Sequence, residues 1–160
     1  RVGEGGGLGS GTPARLRGAG VGVGCLFCHT RGVAKAARAG ARWACRHSTS
    51  WSAGDGPDSN TIEGQVRAAG GTSLVPNDDQ HIAIEYFSVV GATQTLCGQY
   101  RVTGAAFSPA AGYSEATCVI PGNLVRVTLT NSYPPLTQLL GGGVGANVTV
   151  KAVSVMPVMV

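Results

Sequence analysis

The chain has 160 residues, with Gly at 26 positions, hydrophobic residues at 43% and charged residues at only 12%. So apolar a chain is not a disordered polyelectrolyte, and so few charges exclude a long coiled coil. Residues 1–50 hold eight basic side chains and Glu4, a balance of +7, whereas residues 51–160 hold four basic and seven acidic ones, a balance of −3. The basic character (pI ≈ 9.0) therefore belongs to the front third, the pattern of an arm that meets anionic groups or of a solvated segment beside a membrane.

In chain order, residues 1–24 contain ten glycines and no apolar run of signal-peptide or membrane-spanning length. They have little to bury, so residues 1–29 are expected to form a disordered tail ahead of one domain, residues 30–160. The first periodic segment runs from Thr30, a candidate N-cap, to Arg46. Arg31, Lys35, Arg38 and Arg42 recur at steps of four, three and four, giving a helix a basic face. Val33, Ala36, Ala37, Gly40 and Ala44 form the opposite stripe, whose small side chains let another backbone approach closely. The stripe is expected to dock on another helix or on the chain's own sheet. Where the chain works by assembly, a bulky residue at Ala37 or Gly40 is expected to impair assembly without abolishing the fold.

Residues 48–60 read as a loop. A short second helix is expected over Ile62–Ala69, capped by Thr61, with Glu63 in its first turn and Gly70-Gly71 after it. From His81 the period changes to two. Ile82, Ile84 and Tyr86 alternate with Ala83, Glu85 and Phe87, a strand. Residues 98–102 give a weaker strand, Val125–Thr130 a strong one closed by the turn-like 131–135, and 147–155 another. Two helices followed by Gly- and Pro-separated strands predict an α+β domain in which the helices cover a small antiparallel sheet.

Five cysteines are present. Cys25-Leu26-Phe27-Cys28-His29 matches the C-x-x-C-H pattern of covalent haem attachment, so a small c-type electron-transfer protein is the alternative reading. Its second axial ligand would come from Met156, Met159, His47 or His81. A zinc site drawn from Cys25, Cys28, His29, Cys45 and His47 is weaker, because Cys45 and His47 are separated by only one residue. Cys97 and Cys118 flank a polar, turn-rich segment. A disulfide there would staple a loop with little core of its own; two free thiols are the alternative. Asp78, Asp79 and His81 read as a solvated turn rather than an acid–base cluster. No nucleophile elbow or phosphate-binding loop occurs in the chain. With Trp43 the only aromatic among the basic residues of the helix, a base-stacking platform for nucleic acid is not expected.

Residues 30–44, Thr-Arg-Gly-Val-Ala-Lys-Ala-Ala-Arg-Ala-Gly-Ala-Arg-Trp-Ala, resemble the Ala-rich "AAR-x-GAR-x-A" helix of TadE/TadG-like proteins, the pseudopilin-like components of tight-adherence (Flp) pilus systems. The run from Val125 to Leu136, then Leu139-Leu140-Gly141 and Val148–Ala152, is similar to that family's closing strands. The resemblance covers roughly residues 30–160. It implies a non-enzymatic assembly component, anchored in the inner membrane of a bacterial envelope with an extracytoplasmic α+β domain. Its partners would be other pilus subunits, with no cofactor, small-molecule substrate or nucleic acid. The family carries an apolar membrane-spanning helix directly before the Ala-rich one. Residues 1–29 cannot serve as that helix, so a truncated or frame-shifted start is expected, and Glu4 is not equated with the family's acidic position.

Overall fold

The computed structural model describes residues 12–49, 60–70, 76–133 and 147–159, with side chains from Gly24 onward. Helix α1 spans Thr12–Ala44 and helix α2 Ile62–Gly70. Strands β1 (Ile82–Val90) and β2 (Thr93–Arg101) form a hairpin closed by Gly91-Ala92, with Gly91 at φ 61°. A 3-10 turn, Val102–Gly104, leads to β3 (Ala106–Pro109), and the single-turn helix α3 (Glu115–Cys118) precedes β4 (Leu124–Tyr133) and β5 (Val148–Pro157). The five strands form one antiparallel sheet in the order β3-β2-β1-β4-β5. The α+β class expected from the periodicities is the observed one.

Three boundaries differ from the sequence reading. The helix does not begin at Thr30. It reaches back to Thr12, and residues 12–29, expected to be part of a disordered tail, are helical. Residues 1–11 lie outside the described residues. Thr30 sits within the helix and its hydroxyl donates to the Leu26 carbonyl at 2.8 Å. Once a packed segment has nucleated a helix, each further residue adds a backbone hydrogen bond, so glycines weaken its extension without forbidding it. The weak strand over 98–102 is the C-terminal half of β2, which starts at Thr93 and ends at Arg101. β4 continues through Asn131-Ser132-Tyr133, expected to be a turn, because β5 pairs with it as far as Tyr133.

One face of the sheet is apolar: Ile82, Ile84 and Tyr86 of β1 lie opposite Leu129, Val127 and Val125 of β4, and all six are buried. α1 and α2 cover this face, so that Val33, Ala36, Ala37, Ile62 and Val66 share a core with the strands. Burying such Ile, Leu and Val side chains contributes about 1.5–3 kcal/mol each. Tyr86 donates from its hydroxyl to the Ser48 carbonyl at 2.6 Å, tying β1 to the turn after α1. The C-terminal segment is fixed likewise, with Val158 N donating to Asn123 O and Met159 N to Cys45 O, each at 2.8 Å.

Candidate functional site

α1 carries both surfaces singled out in the sequence, and the fold treats them oppositely. Val33, Ala36, Ala37, Gly40 and Ala44 are all buried, together with Ala41, which the sequence reading missed. Of the two docking partners left open, they meet the chain's own sheet and α2. Gly40 is the tightest point: a Cβ there would run into the Val66 side chain and lie 3.4 Å from Val127 Cγ1. A bulky residue at Ala37 or Gly40 therefore loads the chain's own core, whatever it does to contacts with other subunits. α1, α2 and β4 meet there, and a core at crystal-like density has no room for added volume.

Arg31, Lys35, Arg38 and Arg42 are exposed, and none of them is in an ion pair among the described residues. The Arg31 guanidinium lies 4.6 Å from the centre of the exposed Phe27 ring, a cation–π contact. Arg38 Nε donates to the Ala34 carbonyl at 3.3 Å. From Gly24 to Gly32 no side chain is fully buried, whereas from Val33 onward the inner stripe is. α1 thus buries its inner stripe fully only from Val33 onward, with Leu26 and His29 partly buried before it, and the helix itself continues back to Thr12. At 1.5 Å per residue its 33 residues span about 50 Å.

The cysteines fall into three places. Cys97 and Cys118 are bonded, with Cα atoms 5.6 Å apart and both residues fully buried. The pairing of β1 with β2 shifts by one residue between Tyr86 and Phe87, leaving Cys97 unpaired as a bulge. The bulge lets Cys97 and Gly98 both face inward, so the thiol reaches the end of α3. Asn123 braces the same corner: Nδ2 donates to the Cys118 carbonyl at 2.8 Å and Oδ1 accepts from Val89 N at 3.2 Å. α3 needs a strong start to exist at four residues. Ser114 and Thr117 provide it by a reciprocal capping box.

Cys25, Cys28 and His29 stand at positions i, i+3 and i+4 of α1 and so share one side of the helix, both thiols exposed. His29 packs on Tyr133, ring centres 5.0 Å apart. Burial, and then the Cys25 thiol hydrogen-bonded to it, raise the Tyr133 phenol above its ordinary pKa. The other proposed ligands lie elsewhere. Cys45 and His47 are 16 or more residues further along, roughly 24 Å at the helical rise, and Met156 and Met159 line a concavity with Trp43 at that same end. No group of three or more His, Cys, Asp or Glu side chains able to hold a metal is found among the described residues. The zinc set drawn from the sequence is not brought together, and neither methionine faces His29.

Asp78 and Asp79 serve the backbone. Asp78 accepts from Gln80 N, His81 N and His81 Nδ1 at 2.7–2.9 Å, while Asp79 Oδ1 accepts from Val102 N at 2.7 Å. Burial alone would raise the Asp78 carboxyl, but the hydrogen bonds and charge of His81 outweigh it and hold the pKa below its usual value. Glu63 is the polar group that the sequence reading missed. Expected to be a helix-dipole residue, it is only 1% exposed and hydrogen-bonds the Tyr100 side chain. Burial, followed by the Glu63 charge, pushes the Tyr100 phenol well above its normal pKa. The signal was faint: α2 shows one apolar stripe, Ile62 and Val66, and Glu63 beside it enters the core because Tyr100 of β2 lies beneath.

These features define a class: an α+β domain whose antiparallel sheet is covered on one face by a long helix, locked by one disulfide, with a cationic helix face left open. Comparisons with family models, curated proteins and solved structures gave no match. Among the described residues no helix is long and apolar enough to cross a membrane.

Proposed function

We propose that the protein is a non-enzymatic assembly component of a bacterial tight-adherence pilus or a related envelope apparatus, acting by packing against other subunits. The observation that carries this reading is α1. Its C-terminal part is built into a compact sheet domain and carries on its outer face Arg31, Lys35, Arg38 and Arg42, outside any ion pair among the described residues, and the helix continues N-terminally to Thr12. A helix so divided is suited to join a head domain to neighbouring subunits or to an anionic surface. The sequence resemblance to TadE/TadG-like proteins points the same way. On this reading the domain is extracytoplasmic and held at the inner membrane by its N-terminal side, and the Cys97–Cys118 disulfide suits that oxidising compartment. Nucleic acid and small-molecule substrates have no part in it.

The test is deletion of the gene in its host, complemented with wild type or with Arg31, Lys35, Arg38 and Arg42 all replaced by Gln. The deletion and the quadruple variant are expected to lose surface pili while the variant protein accumulates normally. Normal piliation in the deletion strain would reject the proposal. So would a sharp haem absorption band in the purified native protein.

A further inference from the structure

We propose that the outer edge of β5 is a docking site for an extended, acidic segment of a partner protein, which adds to the sheet as a sixth strand beside α1. This deepens the assembly reading and rests on it for the partner's being another subunit. The edge, the groove and the charge are observations in their own right.

The two edges of the sheet differ. β3 has four residues and ends on Pro109, which has no N–H to offer, so that edge is blunted. β5 has ten residues, pairs with β4 without a register shift from Val148 to Pro157, and carries proline only as its last residue. Among the described residues no strand pairs with its outer side. A strand bonded on one side leaves alternate N–H and C=O groups pointing outward, ready to bond an added strand.

A groove of about 450 Å³ runs along this edge. Residues 150–155 of β5 form one side, and Thr30, Ala34 and Arg38 of α1 form the other. Those three are four residues apart and make a line along the helix about 12 Å long, the span of three or four strand residues. A helix lying beside a free strand edge is a setting for strand addition: main-chain hydrogen bonds supply affinity, and the flanking side chains supply selectivity.

The flanking side chains select for negative charge. Arg38 and Lys151, both exposed, line the groove, and no carboxylate does among the described residues. Arg31 and Lys35 continue the positive field along α1. Lys151 lies on the pleat of Val153 and Val155, away from the helices, whereas Arg38 stands on the helix side. Neighbouring residues of an added strand point to opposite faces, so two consecutive acidic residues would meet one cation each. A second copy is the poorer occupant. β5 holds a lysine and no acid, and pairing two β5 edges would set two cationic helices side by side.

The experiment uses the full chain and two fluorescein-labelled peptides, Ser-Thr-Val-Glu-Glu-Val-Thr-Ser and its Lys-Lys counterpart. Binding is followed by anisotropy and amide hydrogen exchange. The acidic peptide is expected to bind at least about tenfold more tightly and to slow exchange within residues 150–155. The double reversal Arg38→Glu/Lys151→Glu should invert the preference, and Arg38→Gln/Lys151→Gln should erase it, with thermal unfolding checking that both exposed substitutions leave the fold intact. Equal binding of the two peptides, no binding of either, protection elsewhere, or a concentration-dependent dimer that buries this edge would each overturn the proposal. Binding in a protein whose deletion leaves piliation normal would sink the pilus reading but not the edge. A lost pilus with no acidic preference would do the reverse.

Discussion

At the scale of single residues, Gly40 and Tyr100 bear the tightest constraints. Gly40→Ala should gain helix propensity of about 1 kcal/mol, yet its Cβ collides with Val66, a β-branched side chain with little freedom to turn away. A net loss of about 1–3 kcal/mol by urea denaturation is expected, partly recovered in Gly40→Ala/Val66→Ala. Additive losses in the double variant would show that the two positions do not meet. Tyr100→Phe removes the phenol from the buried Glu63 carboxylate and should cost about 1–3 kcal/mol at pH 7. The pH dependence has a definite sign. The folded phenol titrates higher than the unfolded one, so its contribution is fully present below about pH 10, the unfolded value, and fades as the pH rises from there toward the folded pKa. Urea midpoints of wild type should therefore fall between pH 9 and 11 more steeply than those of Tyr100→Phe.

At the scale of elements, the segment between β2 and β4 lives by its disulfide. β3 is four residues long, α3 a single turn, and most of their side chains are exposed. Cys97 and Cys118 close a loop of 21 residues, which constrains the unfolded chain by roughly 3 kcal/mol. Cys97→Ser/Cys118→Ser should lower stability by about that amount, and dithiothreitol should shift the urea midpoint of wild type but not of the double variant. Hydrogen exchange should then quicken first in β3 and α3, since their remaining ties are a four-residue ladder to β2, the Phe107 ring on Tyr86, a capping box and Asn123.

At the scale of the whole molecule, the packed half of α1 and its exposed cations belong to one rod. On the assembly reading, the row Arg31, Lys35, Arg38 and Arg42 should draw the chain to vesicles containing anionic lipid by about 1 kcal/mol per cation, and added salt should weaken the attraction. Co-sedimentation of wild type and the four-Gln variant checks this. Equal recovery at low salt would assign the row to a protein surface instead of a lipid one.

Period was the legible signal. The two-residue alternation of 82–87 and 125–130 announced strands, and the steps of Arg31, Lys35, Arg38 and Arg42 announced a helix with one wet face, because both patterns are local consequences of backbone geometry. Cys97 and Cys118 stood out for the same local reason, a polar loop in need of a staple. The sequence by itself thus determined the class of fold and the basic helix face, and it offered Cys97–Cys118 as a disulfide beside the alternative of two free thiols, which the structure resolves as a bond. Tertiary structure alone decided that the small-residue stripe faces the chain's own sheet, that Glu63 is buried against Tyr100, that α1 runs back to Thr12, and that β5 is an edge among the described strands. Each of those depends on which distant segment lies opposite, and the periodicity of a segment says only that one of its faces will be covered, not by what.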